Sequence, residues 1–185
     1  MNDLDTKHKK LAVIIMAAGK GTRMDSDLPK VLHQLDGKPL ISHVIREAKK
    51  ISPVKIVVII GHKSEMVKKA IISDEILFSY QREQKGTGHA VLQAEEHLAE
   101  FEGETLILSG DVPMIKSSTL ELLICRHLET NSKACVLTAQ ISTPEGYGRV
   151  IRDQNNNLKE IKEHKDCDKK QLEIDEINSG IYIFN

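Results

Sequence analysis

The sequence predicts an α/β fold, with an open, mostly parallel sheet and helices on both faces. Short apolar runs such as LAVIIM and IVVII alternate with segments of helical period along most of the chain. Runs without polar residues are typical of parallel strands that are buried on both faces. The connections between the runs are short, as expected where each strand returns through a helix to a parallel neighbour.

Five strands are predicted before residue 141. In chain order they are Leu11–Met16, Lys55–Ile60, Ile76–Tyr80, Thr105–Asp111 and Ala134–Gln140. Apolar residues that recur every three or four positions predict amphipathic helices after Pro39, after Ser64, over 90–98 and over 120–128. From Gly146 onwards, two alternating segments flank the turn-forming Asn155–Asn157 and predict a hairpin, and EINSGIYIFN is predicted as the last strand.

The composition excludes several classes of function. Aromatic residues make up 3% of the chain, Trp is absent and the net charge is −1, so a nucleic-acid partner is not expected. The longest apolar run, Leu11–Ala18, is too short to span a bilayer, so a membrane partner is not expected either. The cysteines, Cys125, Cys135 and Cys167, are odd in number and widely spaced. They favour free thiols in a reducing cytoplasm over disulfides or a zinc site.

The unusual residues of the chain follow three of the predicted strands. Ala17–Lys30 follows the first strand, QREQKGTGHA follows the third, and SGDVP stands at the end of the fourth. Because ligands bind outside the carboxyl ends of strands in open α/β sheets, the three segments are predicted to form one site.

The segment Ala17–Lys30 matches neither common phosphate motif. The dinucleotide fingerprint needs a third glycine where Met24 stands, and a P-loop needs four residues between its first glycine and the Gly-Lys pair. Hydride transfer and P-loop hydrolysis are therefore disfavoured. The backbone N–H groups of a glycine-rich turn can still face phosphate oxygens, and Arg23 and Lys30 would add charge. The alternative is a solvated loop whose cations point at water.

Asp111 and Gln81 are the candidate metal and base contacts. A carboxylate in a Gly-Asp-Val-Pro turn can hold a hard cation such as Mg²⁺, although Asp is also a common turn residue or helix cap. The Gln81 amide offers a donor and an acceptor, which match the imide edge of a pyrimidine such as uracil. Gly86 would let the backbone come close, Thr87 is the expected cap of the next helix, and His89 is expected to be a structural hydrogen-bonder.

Six motifs follow one another along the chain: AAGKGTRMDSDLPKVLH, QKGTGHA, SGDVP, GYGR, EHKD and EINSGI. Their order and spacing resemble those of N-acetylglucosamine-1-phosphate uridyltransferases, the UDP-N-acetylglucosamine pyrophosphorylases of bacterial cell-wall (peptidoglycan) synthesis. The resemblance covers roughly Leu11 to Asn185 and implies the Rossmann-like fold of nucleotide-diphospho-sugar transferases. It also implies Mg²⁺-assisted, in-line transfer of uridylyl from UTP to N-acetylglucosamine 1-phosphate, with release of pyrophosphate.

The resemblance implies roles for individual residues. The implied nucleotide contacts are Met16, Ala17, Ala18 and Gly19, with Gln81, Gly86 and Thr87 at the uracil. The implied N-acetylglucosamine contacts are Gly148, Glu163 and Asn178. Asp111 would bind Mg²⁺, and Ser109 and Gly110 would line the same pocket. Arg23 would act on the leaving pyrophosphate and Lys30 nearer the attacked phosphorus.

The sequence departs from this family at its carboxyl end. The family's domain continues past the INSG strand, supplies an asparagine-type metal ligand there, and is followed by a β-helix acetyltransferase. We therefore expect one incomplete domain over 1–185, with 1–10 as a flexible extension, and a homo-oligomer only where the full gene product has that β-helix. An aromatic residue often stands in the family where Ser109 stands here. Another sugar-1-phosphate nucleotidyltransferase, thymidylyl or guanylyl, and a non-catalytic nucleotide-binding fragment are the alternatives.

Overall fold

A computed structural model describes residues 10–19 and 26–185 and places an eight-stranded sheet at the centre of the chain. The elements in order are β1 (Leu11–Met16), β2 (Gln34–Leu35), β3 (Lys38–Pro39), α1 (Leu40–Lys50), β4 (Lys55–Ile60), α2 (Ser64–Ala70), β5 (Ile76–Tyr80), α3 (Thr87–Leu92), α4 (Glu95–Leu98), β6 (Glu104–Ser109), α5 (Ser117–Glu129), β7 (Ala134–Gln140), β8 (Arg149–Arg152), β9 (Leu158–Lys162), α6 (Lys169–Leu172) and β10 (Glu176–Phe184). Apart from Lys10, the extension predicted for 1–10 lies outside the described residues.

The sheet is mostly parallel, as predicted. Its order is β5-β4-β1-β6-β10-β8-β9, and β7 pairs with the other edge of β10. The neighbours β5, β4, β1 and β6 are all parallel. β10 runs antiparallel to β6, β7 and β8, and β9 runs antiparallel to β8, so only β9 and β10 of this sheet point the opposite way. The carboxyl ends of β1, β4, β5 and β6 therefore share one edge of the sheet.

β10 connects the parallel strands to the hairpin. Its carboxyl-terminal half pairs with β6, where Tyr182 lies opposite Ile107, and its amino-terminal half meets β8, where Ile177 lies opposite Arg149. The register against β7 shifts between Asn178 and Ile181, where the backbone of Gly180 has a positive φ of 77°. Because β10 is antiparallel to β6, its first residues extend towards the edge at which β6 ends.

Helices cover both faces, as predicted. Alternate residues of β1 point to opposite sides, so Val13 and Ile15 belong to one apolar cluster and Ile14 to the other. The first cluster contains buried residues of α1, α2 and α5, and the second contains Ala90 of α3 and Ala94, the residue before α4. Within the described residues, no helix is both long and apolar enough to cross a membrane.

Three local predictions differ from the structure. The strand predicted over Thr105–Asp111 ends at Ser109, so Asp111 lies in the following turn. The single helix predicted over 90–98 is divided into α3 and α4. The small hairpin β2–β3 and the short helix α6 were not predicted; the Asp36-Gly37 turn of that hairpin has positive φ at both residues.

Glu47 connects α1 to the start of α5. Its Oε2 accepts the backbone N–H of Ser117, the first residue of α5, at 3.1 Å. Its Oε1 lies 2.7 Å from Lys50 Nζ and 3.2 Å from Arg46 Nε. Hydrogen bonds lower the pKa of Glu47 to about 2, with the largest contribution from Lys50 and the next from the Ser117 N–H. Together they outweigh burial, which acts to raise this pKa. A buried carboxylate thus takes the place of a side-chain cap at the start of α5.

We expect Glu47→Gln to lower the free energy of unfolding at neutral pH by about 1–3 kcal/mol, because a buried charged acceptor is lost. The folded-state pKa lies below that of the unfolded chain, so the contribution of Glu47 is present above pH 4.5 and is lost as the pH falls towards 2. Urea unfolding at several pH values should show the gap between wild type and Glu47→Gln shrinking across that window. Glu121→Gln, on the exposed face of α5, is the control. A gap that does not change with pH would contradict this account.

Candidate nucleotide-binding site

A cleft of about 370 Å³ opens where β1, β5 and β6 end. It is lined by Met16, Ala17, Ala18, Gly19, Lys30, Val31, Gln81, Gln84, Gly86, Thr87, Ala90, Ser109 and Asp111. The three segments that the sequence placed together therefore do meet at one edge of the sheet. The sequence analysis did not assign Val31 or Ala90 to the site. Both are buried apolar residues that line the cleft through the folding of the chain, and no local sequence pattern distinguishes them from other core residues.

The chain segments that leave β1, β4 and β5 are in contact with one another. The N–H of Ala17 donates to Ile59 O at 2.8 Å, so the chain continues the β1 ladder for one residue beyond Met16. Between these strand ends stands Gly61, where an added Cβ would lie 3.0 Å from both Ala18 Cβ and Gln81 O. A glycine after β4 thus lets the first and second loops approach each other.

The loop after β5 is fixed by two glutamines. Gln81 is 5% exposed, and its Nε2 donates to Gly86 O at 3.1 Å and lies 3.2 Å from His89 Nδ1. Gln84 Nε2 donates to Ala18 O at 2.8 Å, which ties this loop to the segment after β1. The structural role expected of His89 agrees with its contact with Gln81. Since Gln81 Nε2 already has partners, base recognition through Gln81 would have to use its oxygen.

The start of α3 differs from the prediction. Gly86 occupies the cap position with φ +98°, and no side chain caps the helix. Thr87 is the first helical residue, so its predicted role as the helix cap is wrong. The positive φ at the cap position favours Gly86, because glycine has no Cβ to clash there. The helix therefore begins one residue earlier than predicted, at Thr87. Gly86 and Thr87 nevertheless line the cleft.

Lys30 is held at the cleft by the residues that follow it. Pro29 precedes a single 3₁₀ turn, Lys30–Leu32, in which Val31 and Leu32 are buried in the core. The Lys30 side chain remains 46% exposed and reaches across the cleft, where its Nζ lies 2.6 Å from Asp111 Oδ2. Two apolar anchors therefore fix the position of one cation.

Asp111 lies where the chain leaves β6. The N–H of Gly110 donates to Met16 O at 2.9 Å and keeps this turn beside the end of β1. Ser109 Oγ donates to Asp111 Oδ1 at 2.5 Å, while Lys30 holds the other oxygen. Burial raises the pKa of Asp111, but the hydrogen bonds from Lys30 and Ser109 and the Lys30 charge outweigh it, and the pKa lies below its usual value. Asp111 is therefore an anion at neutral pH.

The donors around Asp111 fit one kind of metal site. In the described part of the chain, no group of three or more His, Cys, Asp or Glu side chains could hold a metal ion. Mg²⁺ differs from zinc because it usually keeps several waters and binds through one or two carboxylates plus substrate phosphates. A single ionised carboxylate at the wall of this cleft fits a Mg²⁺ ion that is held jointly with a bound phosphate.

The three predicted sugar contacts form a second group, outside the cleft lining. The N–H of Asn178 donates to Gly148 O at 2.9 Å, and a Cβ at Gly148 would lie 3.6 Å from Glu163 Oε1. Burial raises the pKa of Tyr182, to which Asn178 offers a hydrogen bond and Glu163 a nearby negative charge. Gly148, Glu163 and Asn178 therefore meet near Tyr182, a neighbour that the sequence analysis did not name.

The structure thus describes all but one of the predicted site residues. Lys30, Ser109 and Asp111 line the cleft together with the residues predicted after β1 and β5, and Gly110 lies directly beside them. Arg23 lies outside the described residues, so its role at the pyrophosphate stays a prediction.

An α/β sheet that ends in a cleft with glycine-rich backbone, a lysine and a carboxylate is the arrangement of a phosphate-binding domain. The model of the MobA-like NTP transferase domain matches residues 13–171, and the chain belongs to this family. The chain is 48% identical over 172 residues to the bifunctional protein GlmU of Streptococcus pyogenes serotype M6, and equally to those of Streptococcus thermophilus and Streptococcus mutans. These matches cover 93% of the chain and 37% of each relative, so the chain spans about a third of their length.

Solved structures confirm the fold. A candidate glucose-1-phosphate thymidylyltransferase from Bacillus anthracis, in complex with a sucrose, has a TM-score of 0.77 at 21% identity and covers 95% of this chain and 71% of its own. HddC from Yersinia pseudotuberculosis, complexed with GMP-PN, has a TM-score of 0.71 at 21% identity and covers 94% of this chain and 76% of its own. At such identity the likeness establishes the fold alone.

Without nucleotide, Lys30 and a divalent cation should compete for Asp111. Removing the ammonium in Lys30→Met leaves Asp111 Oδ2 without its ion pair. We therefore expect the affinity for Mn²⁺ to rise about two- to fivefold, which corresponds to the free energy of a partly exposed ion pair. Electron paramagnetic resonance of free Mn²⁺ measures this directly. Lys49→Met, which breaks the exposed pair with Glu75, is the matched control. Unchanged or weaker Mn²⁺ binding in Lys30→Met would show that the two cations do not compete.

Proposed function

We propose that the chain carries the nucleotidyl-transfer site of an N-acetylglucosamine-1-phosphate uridyltransferase, which joins UTP and N-acetylglucosamine 1-phosphate and releases pyrophosphate. The observation that carries the proposal is the meeting of Lys30 and Asp111 across a cleft whose other walls are the Ala17–Gly19 segment and the 81–87 loop. The motifs of the sequence analysis and the GlmU relatives support the choice of substrates.

The cleft suits a nucleoside triphosphate. The segment Ala17–Gly19 offers backbone at the end of β1, and no atom of the described residues beyond its chain neighbours lies within 4 Å of a Cβ built on Gly19, so these residues leave room for a ligand there. Lys30 supplies a positive charge opposite that segment. The second loop, with Gln81 and Gly86, is the surface proposed for the uracil. A triphosphate would then run from the 81–87 loop towards Lys30.

Catalysis in this proposal depends on placement and charge. The sugar-phosphate oxygen attacks the α-phosphorus in line, the bond to the β,γ-pyrophosphate breaks, and no side-chain nucleophile is needed. Mg²⁺ held by Asp111 would supply charge neutralisation at the phosphates. Lys30 leaves Asp111 for a phosphate oxygen as the nucleotide binds, and Ser109 keeps the carboxylate oriented. Once the nucleotide is bound, charges held in this way stabilise the transition state without further rearrangement.

The second group of residues is proposed to receive the sugar. Glu163 can accept hydrogen bonds from sugar hydroxyls, and the Asn178 amide can both donate and accept, as an acetamide requires. The amino-terminal half of β10 extends towards the edge at which β6 ends, so this group and the cleft lie at the same end of the sheet. The acceptor phosphate would thereby face the nucleotide.

The remaining inferences are coarser. We infer a cytoplasmic location and a role in peptidoglycan precursor synthesis from the resemblance, and the three cysteines are free, which suits a reducing compartment. Any second activity or oligomerisation would belong to parts of the relatives that this chain does not span.

The direct test is a coupled assay of pyrophosphate release from UTP and N-acetylglucosamine 1-phosphate. We expect Lys30→Ala and Asp111→Ala each to lower the rate by about 10²–10³, as deletion of a preorganised charged group does, with no loss of folded structure. Asp74→Ala, an exposed aspartate, should behave as wild type.

Wild-type rates in Lys30→Ala or Asp111→Ala would contradict the proposal. A panel of UTP, dTTP and GTP with several sugar 1-phosphates separates uridylyl transfer from the thymidylyl and guanylyl alternatives. Calorimetric binding of UTP, without pyrophosphate release at any protein concentration, would instead identify a non-catalytic nucleotide-binding fragment.

A further inference from the structure

Arg149, the last residue of GYGR, is the largest fully buried side chain among the described residues, at 1% exposure. None of the ion pairs formed within the described residues includes it. Its Nε has no hydrogen-bond partner there either. Burial of a guanidinium without a carboxylate partner is costly, so its other contacts have to compensate for the lost hydration.

The contacts of Arg149 lie in two separate segments. Nη1 donates to Pro144 O and to Tyr147 O, each at 2.6 Å, and both carbonyls belong to the loop that leads into Gly148. Nη2 lies 3.4 Å from His164 Nδ1 and 3.5 Å from Leu172 O, which follow β9. We call these five residues the Arg149 clasp.

We infer that Arg149 is a positioning residue for the proposed sugar subsite: it holds the loop before Gly148 against the segment after Glu163. The inference rests on the proposed function for the identity of the ligand. Gly148 directly precedes Arg149, and Glu163 directly precedes His164, so each side of the clasp adjoins one predicted sugar contact. The guanidinium itself is buried and acts through these neighbours.

An arginine is suited to this role by its geometry. Its guanidinium has five N–H donors in a rigid plane, so opposite edges can serve two segments at once. A lysine at 149 would keep the charge but concentrate its donors at one point. It could satisfy the two short bonds to Pro144 and Tyr147 or reach towards His164, but it could not span both. Arg149→Lys therefore keeps the positive charge and removes the simultaneous contacts with both segments.

Amide hydrogen exchange of the whole chain tests the clasp without any ligand. In Arg149→Lys we expect exchange in 144–148 and 163–167 to accelerate about tenfold or more, while 81–87 keeps its protection. Arg152→Lys is the matched control, because Arg152 lies on the same strand but makes an exposed pair with Glu176. Uniform acceleration along the chain, or none, would overturn the inference. His164→Ala, which removes one contact only, keeps the test available if Arg149→Lys does not fold.

Calorimetry then tests the consequence for binding. With Mg²⁺ and the non-transferable analogue α,β-methylene-UTP present, Arg149→Lys should weaken N-acetylglucosamine 1-phosphate binding about tenfold or more, because small displacements of binding groups are costly. The affinity for the analogue alone should stay within about twofold. Equal losses for both ligands would mean a general structural defect and would overturn the inference.

The two proposals fail in different ways. If wild type binds neither ligand, the proposed function fails, and the exchange pattern still decides whether Arg149 holds the two segments together. If wild type binds both and Arg149→Lys binds the sugar phosphate as tightly as wild type does, the positioning role fails while the proposed function stands.

Discussion

The ion pair between Lys30 and Asp111 is the interaction on which the candidate site depends. It exists because β1 and β6 are parallel neighbours, so the turn after Ser109 and the segment after Met16 leave the sheet together. Lys30 is brought back to that edge by the burial of Val31 and Leu32. The pair keeps two opposite charges partly buried and in contact. We propose that, as nucleotide binds, Lys30 exchanges Asp111 for a phosphate and Asp111 exchanges Lys30 for a metal cation.

The second constraint is the direction of β10. As an antiparallel strand beside β6, it brings its first residues to the edge where the parallel strands end. The hairpin β8–β9 meets it there through Arg149 opposite Ile177 and through Asn178 N–H to Gly148 O. A β10 parallel to β6 would have carried its first residues to the opposite end of the sheet, so the reversal of β10 brings the proposed sugar subsite to the end of the sheet at which the cleft opens.

The sequence predicted the parallel strands because each is a compact apolar run, and it predicted their shared edge because parallel strands end together. It did not predict where β10 inserts, since strand order depends on long-range pairing that leaves no local pattern. Two short elements had signals that were not used: Asp36-Gly37 favours a tight turn, and Asp168 with Gln171 forms a capping box at α6. The sequence analysis assigned no role to Arg149 beyond its place in GYGR, because burial by distant segments leaves no local sequence pattern.

The family assignment follows from the match over residues 13–171, and the resemblance drawn from the six motifs agrees with the GlmU relatives. In the proposed function, the cleft binds the triphosphate between Lys30 and the end of β1. The most direct measurement is a crystal structure with α,β-methylene-UTP and Mg²⁺. We predict phosphates against Ala17–Gly19, uracil on the 81–87 loop, and Lys30 moved beyond about 4 Å from Asp111, the limit of an ion pair. A nucleotide bound elsewhere, or an intact Lys30–Asp111 pair beside an ordered triphosphate, would contradict the account.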